Sequence, residues 1–149
     1  MTVTLQDITK ENFSACIKLK VKPGQENFVA SNVYSIAEKQ FYPDVRAQAI
    51  YAGDTMVGFV MWGVDTDDNP DEMWVWRLMI DADHQGNGYA RDAMTIIIDQ
   101  VRTQKHAALF LSYEPENSHA AAFYARLGFE ETGRVEHGEI VVKLDLSTK

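Results

Sequence analysis

Disulfide chemistry is excluded first. One cysteine, Cys16, stands in a chain of 149 residues, so no internal bridge can form and nothing points to an oxidising compartment. No apolar run approaches the roughly 20 residues that a membrane-crossing helix needs, and the opening MTVTLQDITKEN has neither the basic nor the apolar segment of a secretion signal. Proline and glycine are sparse, four and nine, and nowhere gather into a linker; repeats and low-complexity tracts are absent. One domain over residues 1–149 and a cytoplasmic location are therefore expected. Cationic residues are the other shortage. Fourteen Lys and Arg against 22 Asp and Glu leave a net charge of −8, which disfavours nucleic acid and anionic membranes as partners. It suits either plain solubility or a cationic small molecule. His84, His106, His119 and His137 lack ligand-like spacing, so no metal is expected.

What is present reads as alternating strands and helices. TVTLQDI alternates as a strand does, with Val3 and Leu5 on one face. Thr9 can cap a helix through KENFSACIKLK, where Phe13, Cys16, Ile17 and Lys20 keep helical spacing. A second helix is predicted from Phe28 to Phe41, with Val29, Val33, Ile36 and Ala37 inward, ending before Pro43. AQAIYAGDTMVGFVMWGV is a hairpin around Gly53-Asp54, and DTDDNPDE an exposed loop. MWVWRLMID is apolar on both alternating faces except at Arg77, as a strand covered on both sides reads. A helix from Tyr89 to Gln104 follows, then a doubly covered strand AALFLSYE. A short helix capped by Asn117 and stopped by Gly128 leads to a hairpin turning near His137-Gly138. The order β-α-α-β-β-β-α-β-α-β-β is a mixed α/β layout. The unit from Met73 to Tyr113 needs a parallel pairing with a right-handed crossover.

Between that central strand and its helix stands DADHQGNGYARDAM. Glycine at a helix front weakens it, yet Gly86 and Gly88 are both there. Closely spaced glycines let main-chain N–H groups converge, and the first N–H groups of a helix lack internal partners and lie at the positive end of its dipole. The result suits phosphate or pyrophosphate; a tight strand–helix turn that binds nothing is the simpler alternative. A P-loop would need Gly-Lys-Ser/Thr, and Gly88 is followed by Tyr89-Ala90. A dinucleotide fingerprint would need a third glycine where Arg91 stands, although Glu114 lies near where its acidic residue belongs, which leaves that alternative weakened but open.

Gln85-Gly86-Asn87-Gly88-Tyr89-Ala90 resembles the Q/R-x-x-G-x-G/A signature of the GNAT superfamily of N-acetyltransferases. The likeness continues downstream in Asn117, Tyr124 and LGF at 127–129, and in the order of elements along the chain. ENFVASNVYSIAEKQFYPD is similar to the bacterial spermine/spermidine (diamine) acetyltransferases of that superfamily.

The resemblance implies an acyl-CoA N-acyltransferase fold, a mixed and mostly antiparallel sheet flanked by helices. It implies transfer of acetyl from acetyl-CoA to a primary amine by direct attack in a ternary complex. Pyrophosphate would be held by main-chain N–H groups of Gln85 through Ala90, that is Gln85, Gly86, Asn87, Gly88, Tyr89 and Ala90. Pantetheine would lie along Leu78, Met79 and Ile80 where two strands splay, with an N–H near Met79 on the thioester carbonyl. Tyr124 would be the acid that protonates the leaving thiolate, against its plainer reading as a core aromatic beside Phe123 and Leu127. Asn117 would cap its helix and lie near the cofactor. A homodimer is a family-level expectation.

For the base that deprotonates the amine, Glu72, Asp81, Glu38 and Glu114 are candidates, with Glu72 preferred for its place just before the central strand. Glu26, Glu38 and Tyr42 are candidate amine contacts, as is the acidic loop of Asp65, Asp67, Asp68 and Asp71; carboxylates pair with ammonium groups and aromatic faces hold cations. Trp62, Trp74 and Trp76 read as core or pocket lining rather than a nucleic-acid platform, and Cys16 as a small core residue far from the signature. Two alternatives remain: another acceptor (aminoglycoside, amino acid or protein N-terminus), or a non-catalytic sensor that binds CoA.

Overall fold

The β-prone runs join into one seven-stranded sheet, ordered β1-β2-β3-β4-β5-β7-β6, in a computed structural model that describes residues 2–147. Of the span 1–149 read as one domain, residues 1, 148 and 149 lie outside the described residues. The strands are β1 (Val3–Asp7), β2 (Val45–Ala52), β3 (Thr55–Asp65), β4 (Asn69–Ile80), β5 (Ala108–Tyr113), β6 (Glu130–Glu136) and β7 (Glu139–Asp145). Only β4 with β5 is parallel. Both hairpins turn where the sequence placed them, at Gly53-Asp54 and His137-Gly138, and the order of elements is as read.

Helices α1 (Phe13–Lys18), α2 (Asn32–Lys39), α3 (Tyr89–Thr103) and α4 (Ser118–Arg126) cover both faces, giving two cores. Met94, Ile97 and Val101 of α3 pack on Val60, Val75, Leu109 and Leu111; α4 adds Phe123, Tyr124 and Leu127. On the opposite face α1 and α2 bring Cys16 and Ile36 onto Phe59, Met61 and Met79. Each fully buried side chain of this size contributes about 1.5–3 kcal/mol. From Met73 to Ile80 β4 runs between the two cores, which is why that stretch has no polar side chain except Arg77.

Three local expectations are corrected. The second helix does not begin at Phe28: a single 3-10 turn, Glu26–Phe28, precedes α2, whose N-cap is Ser31, its hydroxyl accepting from Tyr34 N–H. That start turns Asn32 and Ser35 inward and leaves Val33 56% exposed, with Ala37 exposed as well. Asn32 is inward because its Nδ2 donates to Cys16 O at 2.9 Å and so closes the end of α1. Secondly, Asn12 rather than Thr9 stands at the N-cap of α1; its Oδ1 accepts from Thr9 N–H and its Nδ2 donates to Asp7 O. Finally, β4 begins at Asn69, so Asn69 to Glu72 belong to the strand and only a short turn beyond Asp65 remains of the predicted loop.

Candidate active site

β4 carries the site because it loses a neighbour midway. It pairs with β5 only at Met73↔Leu109 and Trp74↔Phe110, and then the two strands separate into a wedge. β3 stays paired along its other edge, with two irregularities: one near the β3–β4 turn, between Val64 and Asp65, and one beside the wedge, where Met61 pairs with Arg77 but Trp62 with Val75, leaving Trp76 as a bulged residue. A bulge puts two successive side chains on one face. Trp76 accordingly meets Tyr42, ring centroids 4.8 Å apart, while Arg77 donates to Glu38 Oε1 at 2.9 Å.

Alternation decides which main-chain groups face the wedge. Asp81 N–H donates to Val57 O on β3, and the Met79 carbonyl is directed at Gly58 of β3, where an added Cβ would strike it. Polar groups of successive strand residues point to opposite edges. Met79 therefore faces β3, and Leu78 and Ile80 face the open edge. This corrects the expected thioester donor: Met79 N–H is turned away from the wedge, and Leu78 N–H and Ile80 N–H are the donors turned into it.

At the wide end lies the glycine turn. Gly86 and Gly88 have φ of +85° and +81°, the left-handed region that only glycine enters without strain. Gly88 is the N-cap of α3, without a side-chain cap. The first helical bond runs from Asp92 N–H to Gly88 O at 3.0 Å. Among the described residues, no protein group accepts from the main-chain N–H of residues 85–91. An added Cβ on Gly86 would meet nothing within 4 Å, so its conformation, not crowding within the protein, is what calls for glycine. The Gln85 side chain ties the turn down, with Nε2 donating to Ile80 O at 3.0 Å and to Gln25 Oε1 at 2.9 Å. Asp81 accepts from Lys20 N–H at 2.9 Å, a structural task that leaves it poorly suited as the base.

Across the wedge, Asn117 caps α4, its Oδ1 accepting from Ala120 N–H at 3.1 Å. Tyr124 stacks on Tyr113 at 6.3 Å and meets Phe123 and Phe129 edge-on. It is thus both a core aromatic and a phenol with no hydrogen-bond partner among the described residues. Burial pushes that phenol above its usual range, so it stays protonated through neutral and mildly alkaline pH.

The face beneath α1 and α2 gathers side chains that the sequence scattered. Trp74 stacks on Phe110 at 5.5 Å. Glu72 accepts from Trp74 Nε1 at 3.0 Å and pairs with Arg134 at 2.9 Å. Burial pulls the Glu72 carboxyl upward, but the bonds from Arg134 and Trp74 outweigh it and hold the group below the usual carboxylate range. That does not suit the base role expected of Glu72. Glu38 is likewise occupied, by Arg77.

Glu114 differs. No cation pairs with it among the described residues; burial, then the charges of Glu139 and Glu116, raise its pKa, while Glu139 accepts from the Ser112 hydroxyl at 2.7 Å. Glu26 is exposed and accepts from Gly24 N–H. Asp65, accepting from Asp67 and Asp68 N–H, marks an exposed turn at the end of β4 away from the wedge mouth, with Asp71 on the strand itself. Trp62 is core, donating to Gln48 at 2.9 Å. Cys16, distant in sequence from the signature, packs in the same core as Met79.

Sequence reasoning missed Phe110, Ser112, Glu139, Gln25 and Arg134. Only Arg134 had a local signal, since an isolated glycine inside a strand pattern, here Gly133, marks a bulge.

Known proteins share this fold. The Acetyltransferase (GNAT) family matches residues 7–129. A protein named probable spermine N(1)-acetyltransferase, from Bacillus subtilis subsp. natto (strain BEST195), is 26% identical over 98% of this chain and 100% of its own. The ribosomal-protein-S18-alanine N-acetyltransferase of Escherichia coli superposes with a TM-score of 0.74 at 20% identity, covering 99% of this chain and 96% of that one. The PaiA N-acetyltransferase of Thermoplasma acidophilum, solved in complex with coenzyme A, gives 0.74 at 13% identity over 97% and 99%. With its family match spanning most of the sequence and its fold shared end to end, the chain belongs to the GNAT acetyltransferase family.

Proposed function

We propose that this protein, as one domain, transfers the acetyl group of acetyl-CoA to a primary amine of a small polyamine. The observation that carries the reading is a track of unpartnered N–H groups in two segments, Leu78 and Ile80 on the open edge of β4 and residues 85–91 at the head of α3, with the bonded N–H groups of Asp81 and Ala82 between them. Its wide end, with the helix dipole, suits a pyrophosphate, held by Gln85 through Ala90; its narrow end suits the amides of pantetheine. Asn117 and Tyr124 close the other side. The polyamine preference is supported by the name of the Bacillus relative, with Glu38 and Tyr42, on α2 and the turn beyond it, and the exposed Glu26 as the candidate amine contacts.

In the reaction the amine nitrogen attacks the thioester carbonyl carbon. The oxygen gathers charge and accepts from Leu78 N–H; one such donor contributes on the order of 100-fold or more in rate. The C–S bond breaks and the thiolate takes the Tyr124 proton. Glu114, raised above the usual carboxylate range and without the arginine that holds Glu72, receives the amine proton through water. Attack is direct, because the one thiol, Cys16, is buried and its pKa is pushed up to about 11, which leaves it un-ionised and inert.

The test is acetyl-CoA turnover against a panel of amines. Acetylation of spermidine or spermine ahead of aminoglycosides, amino acids and peptide N-termini is expected. CoA binding with no transfer to any amine would leave a sensor instead.

A further inference from the structure

The edge strand β6 is interrupted where it passes the wedge. Glu131 pairs with Val142 and Val135 with Ile140, so Thr132, Gly133 and Arg134 stand against one residue, Val141. Gly133 makes the loop possible with φ +85°. The Thr132 hydroxyl pins it, donating to Val141 O at 3.0 Å and accepting from Arg134 N–H at 3.0 Å. A bulge re-aims the side chain it carries. The Arg134 guanidinium is thereby brought over Trp74 and Phe110, 5.8 and 5.5 Å from the ring centroids, and between the carboxylates of Glu72 and Glu136.

Two stacked ring faces and two carboxylates make a cage for a cation, and here the protein's own cation fills it. The cage stands at the apex of the wedge, since Trp74↔Phe110 is the last pair before β4 and β5 part. Arg134 keeps 36% of its side chain exposed, so it can leave into water, and ion pairs at such a rim are individually weak. Four residue steps of strand, one of them at the bulged Trp76, lead from Trp74 to Leu78, at most about 13 Å, a distance on the scale of a linear triamine and beyond a monoamine.

We propose that Arg134 is an exchangeable plug, displaced from the cage by the distal ammonium of a polyamine whose reacting amine sits beside Leu78. This rests on the polyamine reading above and adds to it the residue that sets selectivity for long, multiply charged amines. The same contacts that hold the guanidinium would hold the ammonium, and the displaced arginine would return when product leaves.

The experiment compares wild type with Arg134→Gln for KM toward spermidine and toward butylamine, with acetyl-CoA saturating. Removal of the competing cation should lower KM for spermidine about fivefold to tenfold and leave that for butylamine nearly unchanged. Adding Glu136→Gln should reverse much of the gain. An equal change for both amines, or a higher KM for spermidine, would overturn the plug, because a merely structural arginine would affect both alike. If Arg134→Gln does not fold, Arg134→Met keeps contact with the rings and is read the same way. If wild type acetylates no amine, the polyamine-transferase reading fails; spermidine titration followed by tryptophan fluorescence then judges the plug alone. Tighter binding to the variant supports it, and equal or weaker binding refutes it.

Discussion

The two ends of the wedge are built from different materials. Its wide end, at residues 85–91, is almost all main chain: glycines in the left-handed region, N–H groups without partners and a helix dipole behind them. The acceptor face at its apex is almost all side chain, assembled from β4, β5, β6, β7 and α2: Trp74, Phe110, Arg134, Glu139 and Glu38. A main-chain site depends on the shape of one short segment, whereas a side-chain site depends on how five elements pack. The first is suited to a cofactor part that does not vary, the second to a substrate that can differ between relatives.

The largest expected effect falls between the two ends. Tyr124→Phe should lower kcat about 100-fold or more with the CoA dissociation constant unchanged, measured by turnover and calorimetry. Equal loss of binding would move Tyr124 from the chemistry to the cofactor cradle. Since burial raises the phenol and only the protonated form donates, no alkaline fall in kcat from this group should occur below about pH 10.

Gly86→Val tests the main-chain end. A β-branched residue at φ +85° strains the turn by about 1–2 kcal/mol, so CoA affinity should fall about tenfold. Gly138→Val makes the control, as Gly138 also has a positive φ with open space around a Cβ but lies at the β6–β7 turn. It should cost similar stability and leave CoA binding intact.

A smaller effect tests the side-chain end. A base acts deprotonated, so a raised pKa for Glu114 places the acidic limb of kcat/KM at higher pH. Glu139→Gln removes one neighbouring charge and should move that limb toward acid. The shift should be partial, because burial is the larger cause. A limb that stays in place would remove Glu114 from the role.

The smallest effect is read on stability. Asn117→Ala deletes the cap of α4 and should cost about 1 kcal/mol, a fall in Tm of roughly 2–4 °C.

The same division explains what the sequence disclosed. Gly86 and Gly88 carry their meaning locally, since positive φ at a strand–helix junction can be read from residue type, and hairpins at Gly53 and Gly138 are legible for the same reason. Helix α2 was misplaced because its inward side is set by Asn32 bonding to Cys16, a tertiary contact that apolar spacing does not carry. The sequence places the donor only near Met79, because a strand's two edges cannot be told apart until its neighbours are known, and a one-residue error exchanges them. Glu72 read as a free carboxylate because its partner, Arg134, lies on a strand far along the chain.

The alternation along β4 also gives the most direct test. Backbone amide shifts of the 15N-labelled protein, followed during titration with CoA, should change most at Leu78, Ile80 and residues 86–91, with Met79, bonded toward β3, moving little. Larger changes at Met79 than at its two neighbours, or changes clustered away from the head of α3, would contradict the main-chain cradle on which the account rests.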